Sequence, residues 1–152
     1  MTLRTTFQIA FALCVAHSTV AAECLPYEAA SSTIAGTITR GAFPGRPNFT
    51  SIADGDEKLV YWILTLDSPA CVGSTTLATE VNEVESDVSE IQLAPRDDRF
   101  YEQYQGVIGK YVKATGTLFH QHSAWHMTRV VLQVDSLSID QSKTQQEATR
   151  HP

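Results

Sequence analysis

The chain has 152 residues, 43% hydrophobic and 18% charged, with 11 Lys and Arg against 17 Asp and Glu. This arithmetic describes one ordinary soluble domain and excludes a disordered chain or a membrane bundle. The acidic excess also opposes general nucleic-acid binding, because a polyanion meets net repulsion.

Arg4 is followed by an apolar run from Ile9 to Ala16 and by small residues ending Val20-Ala21-Ala22, the three parts of a secretory signal peptide. Residues 1–22 are therefore expected to be removed, leaving a domain over 23–140 and a tail over 141–152. The run falls short of the roughly 20 residues that cross a bilayer, so the mature chain is expected to carry no transmembrane segment. Leu13 precedes Cys14 and Glu23 precedes Cys24, whereas a lipoprotein signal needs a small residue there. Loss of Cys14 leaves Cys24 and Cys71, an even pair sent to an oxidising compartment, and a Cys24–Cys71 bridge is expected. The location that follows is exported, in the periplasm or outside the cell.

In chain order, residues 32–39 alternate apolar and polar side chains as a half-buried strand does, with Gly36 a candidate bulge. A loop rich in turn formers, from Gly41 through the Asp54-Gly55-Asp56 signal, leads to the aromatic and β-branched run Leu59–Leu66. Asp67-Ser68-Pro69 is expected to end that strand. Residues 80–90 mix helical spacing with β-branched residues and remain open, while Ile91–Ala94 reads as a short strand ending at Pro95. Asp97 or Asp98 then caps a short helix whose Phe100, Tyr104, Val107 and Ile108 share one face, with Gly109 as its C-terminal cap. Tyr111–Phe119 and Val130–Val134 form a closing hairpin, and the phase change to Leu137 and Ile139 predicts a bulge near Asp135 and Ser136. The tail has no apolar periodicity and reads as disordered. Three strands, a helix and two strands is the order of an OB-fold, a mainly β, five-stranded Greek-key barrel with one helix between strands three and four.

Several stretches also carry a family resemblance: Cys24–Glu28, Phe43-Pro44-Gly45-Arg46-Pro47-Asn48-Phe49, Tyr61–Asp67 with Cys71, Ile91–Leu93, Gly109–Val112, Gly116–His120 and His126–Thr128. Together they resemble an exported bacterial family defined as a domain of unknown function, of the 4431 type. The resemblance implies an exported single domain and no particular reaction. Where that family carries a Thr-Gly-His-His-like run, this chain reads Ser123-Ala124-Trp125-His126.

Three of the four mature histidines, His120, His122 and His126, fall in the last connection. Neutral imidazoles suit Zn²⁺ or Cu²⁺, and a returning loop could bring three nitrogens together, so these residues are the candidate metal ligands. The competing reading is a polar hairpin tip. OB-folds bind through the face of strands two and three and through loops including the last, which makes Trp125, Tyr61 and His120 the candidate ligand contacts. Trp62, adjacent to Tyr61, is assigned to the core. Asp54, Asp56 and Glu57 lack the full set of a calcium loop and read as a solvated turn. No G-x-S-x-G, H-E-x-x-H or P-loop occurs. The expectation is a non-catalytic module for an envelope ligand or protein partner. A His-loop metal protein is the alternative, and a hydrolase with dispersed residues the third.

Overall fold

In the computed structural model, the described residues are 24–28, 31–73, 84–97 and 99–143. The expected signal peptide and residues 74–83 lie outside them, as does the tail beyond 143. The elements are β1 (Ser32–Pro44), β2 (Lys58–Val72), β3 (Glu85–Pro95), α1 (Arg99–Gln103), a 3₁₀ turn (Gln105–Val107), β4 (Tyr111–His120) and β5 (Val130–Ile139). They close into a barrel in the order β1-β2-β3-β5-β4, with β1 returning to pair β4. Every pairing is antiparallel except β3 with β5. This is the OB-like topology that the element order implies.

The period of two decides which side chains enter the barrel. Ile34 and Ile38 of β1, Trp62 and Leu64 of β2, Ile91 and Leu93 of β3, Val112 and Leu118 of β4, and Val130 and Leu132 of β5 belong to one buried cluster. α1 closes one end. Phe100 enters the cluster, and its ring lies 6.2 Å from Trp62 and 4.6 Å from Tyr104. Gly109, at φ 75°, turns the chain into β4 as a C-terminal cap glycine does.

The strands differ from expectation in three places. β1 continues through Gly41, where a loop was expected, to Pro44, paired with β2 as far as Lys58. β2 does not stop at Asp67-Ser68-Pro69 but runs to Val72, because its register with β3 shifts between Thr65 and Ala70 and so takes the proline outside the ladder. Gly36 is no bulge, since it pairs in register with Val112. It is instead a close approach: a Cβ there would collide with the Thr65 carbonyl. The bulge expected near Asp135 does occur, where Thr115 faces Ser136 and Gly116 faces Val134, leaving Asp135 unpaired.

Cys24 and Cys71 are bridged across a separation of 47 residues. The disulfide holds the entering segment along β2, where the Leu25 amide donates to the Cys71 carbonyl and the Gly73 amide to the Leu25 carbonyl. At the other end, Lys143 pairs with Asp67 and sits over the Tyr111 ring at 4.6 Å. Among the described residues, no helix is long and apolar enough to cross a membrane.

Candidate functional site

The β1–β2 loop (45–57) is ordered by one carboxylate. Asp56 is buried and accepts hydrogen bonds from the backbone amides of Asn48 (2.9 Å), Thr50 (2.8 Å) and Ser51 (2.9 Å), and from the Asn48 amide and Thr50 hydroxyl side chains. The expected solvated turn is therefore wrong for this residue. Its oxygens are taken by the loop itself, as an Asx-type turn former uses them. These bonds, led by those from the Ser51, Thr50 and Asn48 backbone, lower its pKa from the usual 3.8 to about 2. A lowered carboxylate pKa stabilises the fold above the unfolded value and loses that contribution as pH falls through the folded one. Asp56→Asn is therefore expected to lower the melting temperature at neutral pH. The difference from wild type should narrow between about pH 4 and pH 2. A gap that stays constant across that window would contradict this role.

The β4–β5 loop (121–129) does not stand away from the barrel. Ile91 and Leu93 point inward, so Gln92 faces out, yet it is only 3% exposed. Its Nε2 donates to the Trp125 carbonyl at 3.0 Å, and its Oε1 accepts the Met127 amide at 2.6 Å. The Thr128 hydroxyl oxygen accepts the Gln92 amide at 2.8 Å and donates to the Val130 carbonyl at 2.6 Å. One side chain on β3 thus pins the loop against the outer face of the sheet. Ile63 and Val131, cross-strand neighbours of Gln92, are also buried there, outside the main cluster.

Pinned in this way, Trp125 meets the β1–β2 loop. Its ring is edge-on to Phe49 at 5.5 Å, and the Arg46 guanidinium lies 5.3 Å from its centroid, a cation–π contact. Trp125 nevertheless stays 39% exposed, which leaves ring surface open at the junction of the two loops. The other two expected ligand contacts lie elsewhere. Tyr61 is half-buried on the outer face of β2 against Phe43, at 6.3 Å. His120 turns toward Glu85 and Tyr27.

The three histidines divide into two groups. His120 Nε2 is 3.0 Å from Glu85 Oε1 and its Nδ1 is 3.0 Å from the Gln121 carbonyl oxygen. With both ring nitrogens engaged, it aims no lone pair at the others. Glu85 also takes Arg129 at 2.5 Å. Tyr27 packs edge-on to His120 at 6.2 Å, and its buried hydroxyl has no hydrogen-bond partner among the described residues. Burial, aided by the Glu85 charge against an opposing Arg129, pushes that phenol up to about 12.

His122 and His126 instead pair with each other at 4.6 Å between centroids, both flanking Phe119. His126 Nδ1 accepts the His122 amide at 3.2 Å, which fits a neutral ring. Burial, with His122 beside it, lowers the His126 pKa below the usual 6.5. Protonation therefore opposes the folded loop, whose stability falls as pH drops below about 6.5. Among the described residues, no group of three or more His, Cys, Asp or Glu is arranged to hold a metal ion.

Sequence reasoning missed Arg46, Phe49, Gln92 and Glu85 as parts of this region. The first two lay in the Phe43–Phe49 stretch that carried the family resemblance. A lone glutamine inside an apolar strand was the only signal for Gln92.

In this closed OB-like barrel the β1–β2 and β4–β5 loops thus meet around an exposed tryptophan. Residues 90–139, from within β3 to the end of β5, match the family model described as Domain of unknown function (DUF4431). The match contains α1, Gln92, the whole β4–β5 loop and all three histidines. The chain matches no curated protein.

Proposed function

We propose that this chain is an exported, disulfide-stapled binding module of the cell envelope, without catalysis of its own, whose ligand docks at the junction of the β1–β2 and β4–β5 loops. The observation that carries the reading is the posture of Trp125. Gln92 ties down the Trp125 backbone, and Phe49 and Arg46 flank its large amphipathic ring, yet the residue keeps open surface. Holding an aromatic ring in place before a ligand arrives removes much of the ordering cost of binding. Its flat face suits a sugar ring, a peptide side chain or another small apolar surface. Export is supported by the N-terminal charge, apolar run and small residues, and by a cysteine pair of the kind that oxidising compartments preserve.

The test is an array of oligosaccharides and short peptides probed with the oxidised mature protein and with Trp125→Ala. Wild type should bind a probe saturably, with affinity unchanged by EDTA and reduced about tenfold or more by the substitution, as loss of a well-packed aromatic contact does. Equal binding by both proteins would contradict the proposal.

A second reading is favoured by the closeness of His122 and His126, whose ring centroids lie 4.6 Å apart, because neighbouring neutral imidazoles suit Zn²⁺ or Cu²⁺. Calorimetric titration with either metal, beside the His120/His122/His126→Ala protein, decides it. Stoichiometric binding lost in the variant supports a metal role, and equal weak binding removes it.

A further inference from the structure

Past Thr37 and Ile63 the β1–β2 ribbon has no third strand among the described residues. β1 pairs β4 only over Ser32–Thr37 and β2 pairs β3 only over Ile63–Val72, while the two strands stay paired with each other out to Pro44 and Lys58. This overhang keeps the alternation of the barrel. Ile38 and Trp62 point into the core, so Arg40 and Val60, two residues further out on their strands, lie on the same core-directed side. Val60 is nevertheless 53% exposed, an apolar core-side position left uncovered.

The space it faces is bounded by α1 and the turn after it. Arg40, Val60, Trp62, Tyr101, Glu102 and Gln105 line an open cavity of about 380 Å³. Val60, Trp62 and Tyr101 make the apolar wall, the two rings edge-to-face at 5.1 Å. Arg40 and Glu102 supply opposite charges, and neither has an ion-pair partner among the described residues, including each other. A guanidinium and a carboxylate that share a cavity without pairing are complementary to a ligand carrying both charges. A simple anion would be repelled by Glu102, and a simple cation by Arg40.

We propose that this cavity binds a small zwitterion of the amino-acid or dipeptide class. Its carboxylate lies on Arg40, its ammonium on Glu102, and its apolar side group against Val60, Trp62 and Tyr101. The volume falls in the range of small-ligand pockets, at or above roughly 300 Å³. The site is separate from the Trp125 junction and stands independently of it.

The experiment uses the Trp125→Phe chain, in which Trp62 is the sole tryptophan, since the sequence has two. It is titrated with phenylalanine and with alanyl-phenylalanine and read by indole fluorescence. A saturable change is expected for at least one of them. Arg40→Ala, Glu102→Gln, N-acetylation of the ligand and amidation of its carboxylate should each weaken binding about tenfold, the loss of one charge-assisted contact. Both substituted side chains are exposed, so the variants should melt with the parent. No saturation up to about 10 mM, the weak limit of specific small-ligand binding, overturns the proposal. So does equal binding of the blocked ligands or of the two variants.

Discussion

Cys71→Ala is expected to lower the stability of the folded chain by about 4 kcal/mol, the chain-entropy value for releasing a loop of this length. The bridge spans 47 residues and ties the entering segment to the end of β2. Three backbone hydrogen bonds depend on that placement: the Leu25 and Gly73 exchange across β2, and the Glu28 amide to the Leu118 carbonyl. In their absence Tyr27 loses its hold beside His120, and the apolar surface of Leu25 and Tyr27 leaves the core it now flanks. A thermal melt should record a fall of about 15 °C for a domain of this size. Reduction of the wild-type protein should reproduce it. A melt unchanged by either treatment would mean that the segment is held without the bridge.

The second large effect is expected at Gln92. Gln92→Leu keeps the volume but leaves the Trp125 carbonyl and the Met127 amide without partners against the sheet. An unsatisfied buried group costs about 1–3 kcal/mol, so the loop should either lift away or be held at a total cost of about 3 kcal/mol. The loop ends in exposed residues and connects strands that stay paired without it, which favours lifting. Hydrogen exchange at the Met127 amide should then accelerate to near the rate of an unprotected loop amide, while amides of β4 keep their protection. Affinity for any probe retained on the array should fall with it if the proposed docking at Trp125 holds. Slow exchange at Met127 in the variant would show that some other contact holds the loop.

The barrel was legible in the sequence because its strands alternate. Ile34 and Ile38, Trp62 and Leu64, and Val112 and Leu118 announce an inward face by period two, and the bulge at Asp135 shows as a phase error in that period. The end of β2 was misplaced because proline is a local signal, whereas the tolerance of Pro69 depends on a register shift against β3 that no local pattern encodes. The same distinction divides the functional region. Trp125 stood out as a large ring in a polar connection. What fixes it, Gln92 from 33 residues away and Phe49 from another loop, depends on tertiary proximity that only the closed sheet creates. The histidines mislead for a related reason. Their spacing suggests one cluster, but β4 ends at His120 and commits that ring to Glu85 before the loop turns.

The measurement that tests the account most directly is an amide and indole NMR map of the ¹⁵N-labelled, oxidised protein, recorded with and without a saccharide or peptide probe retained on the array. Shifts concentrated at Arg46, Phe49, Gln92, Trp125 and Met127 are the predicted result. Shifts confined to other faces of the barrel, with the Trp125 indole unmoved, would contradict the assignment of the loop junction as the binding surface.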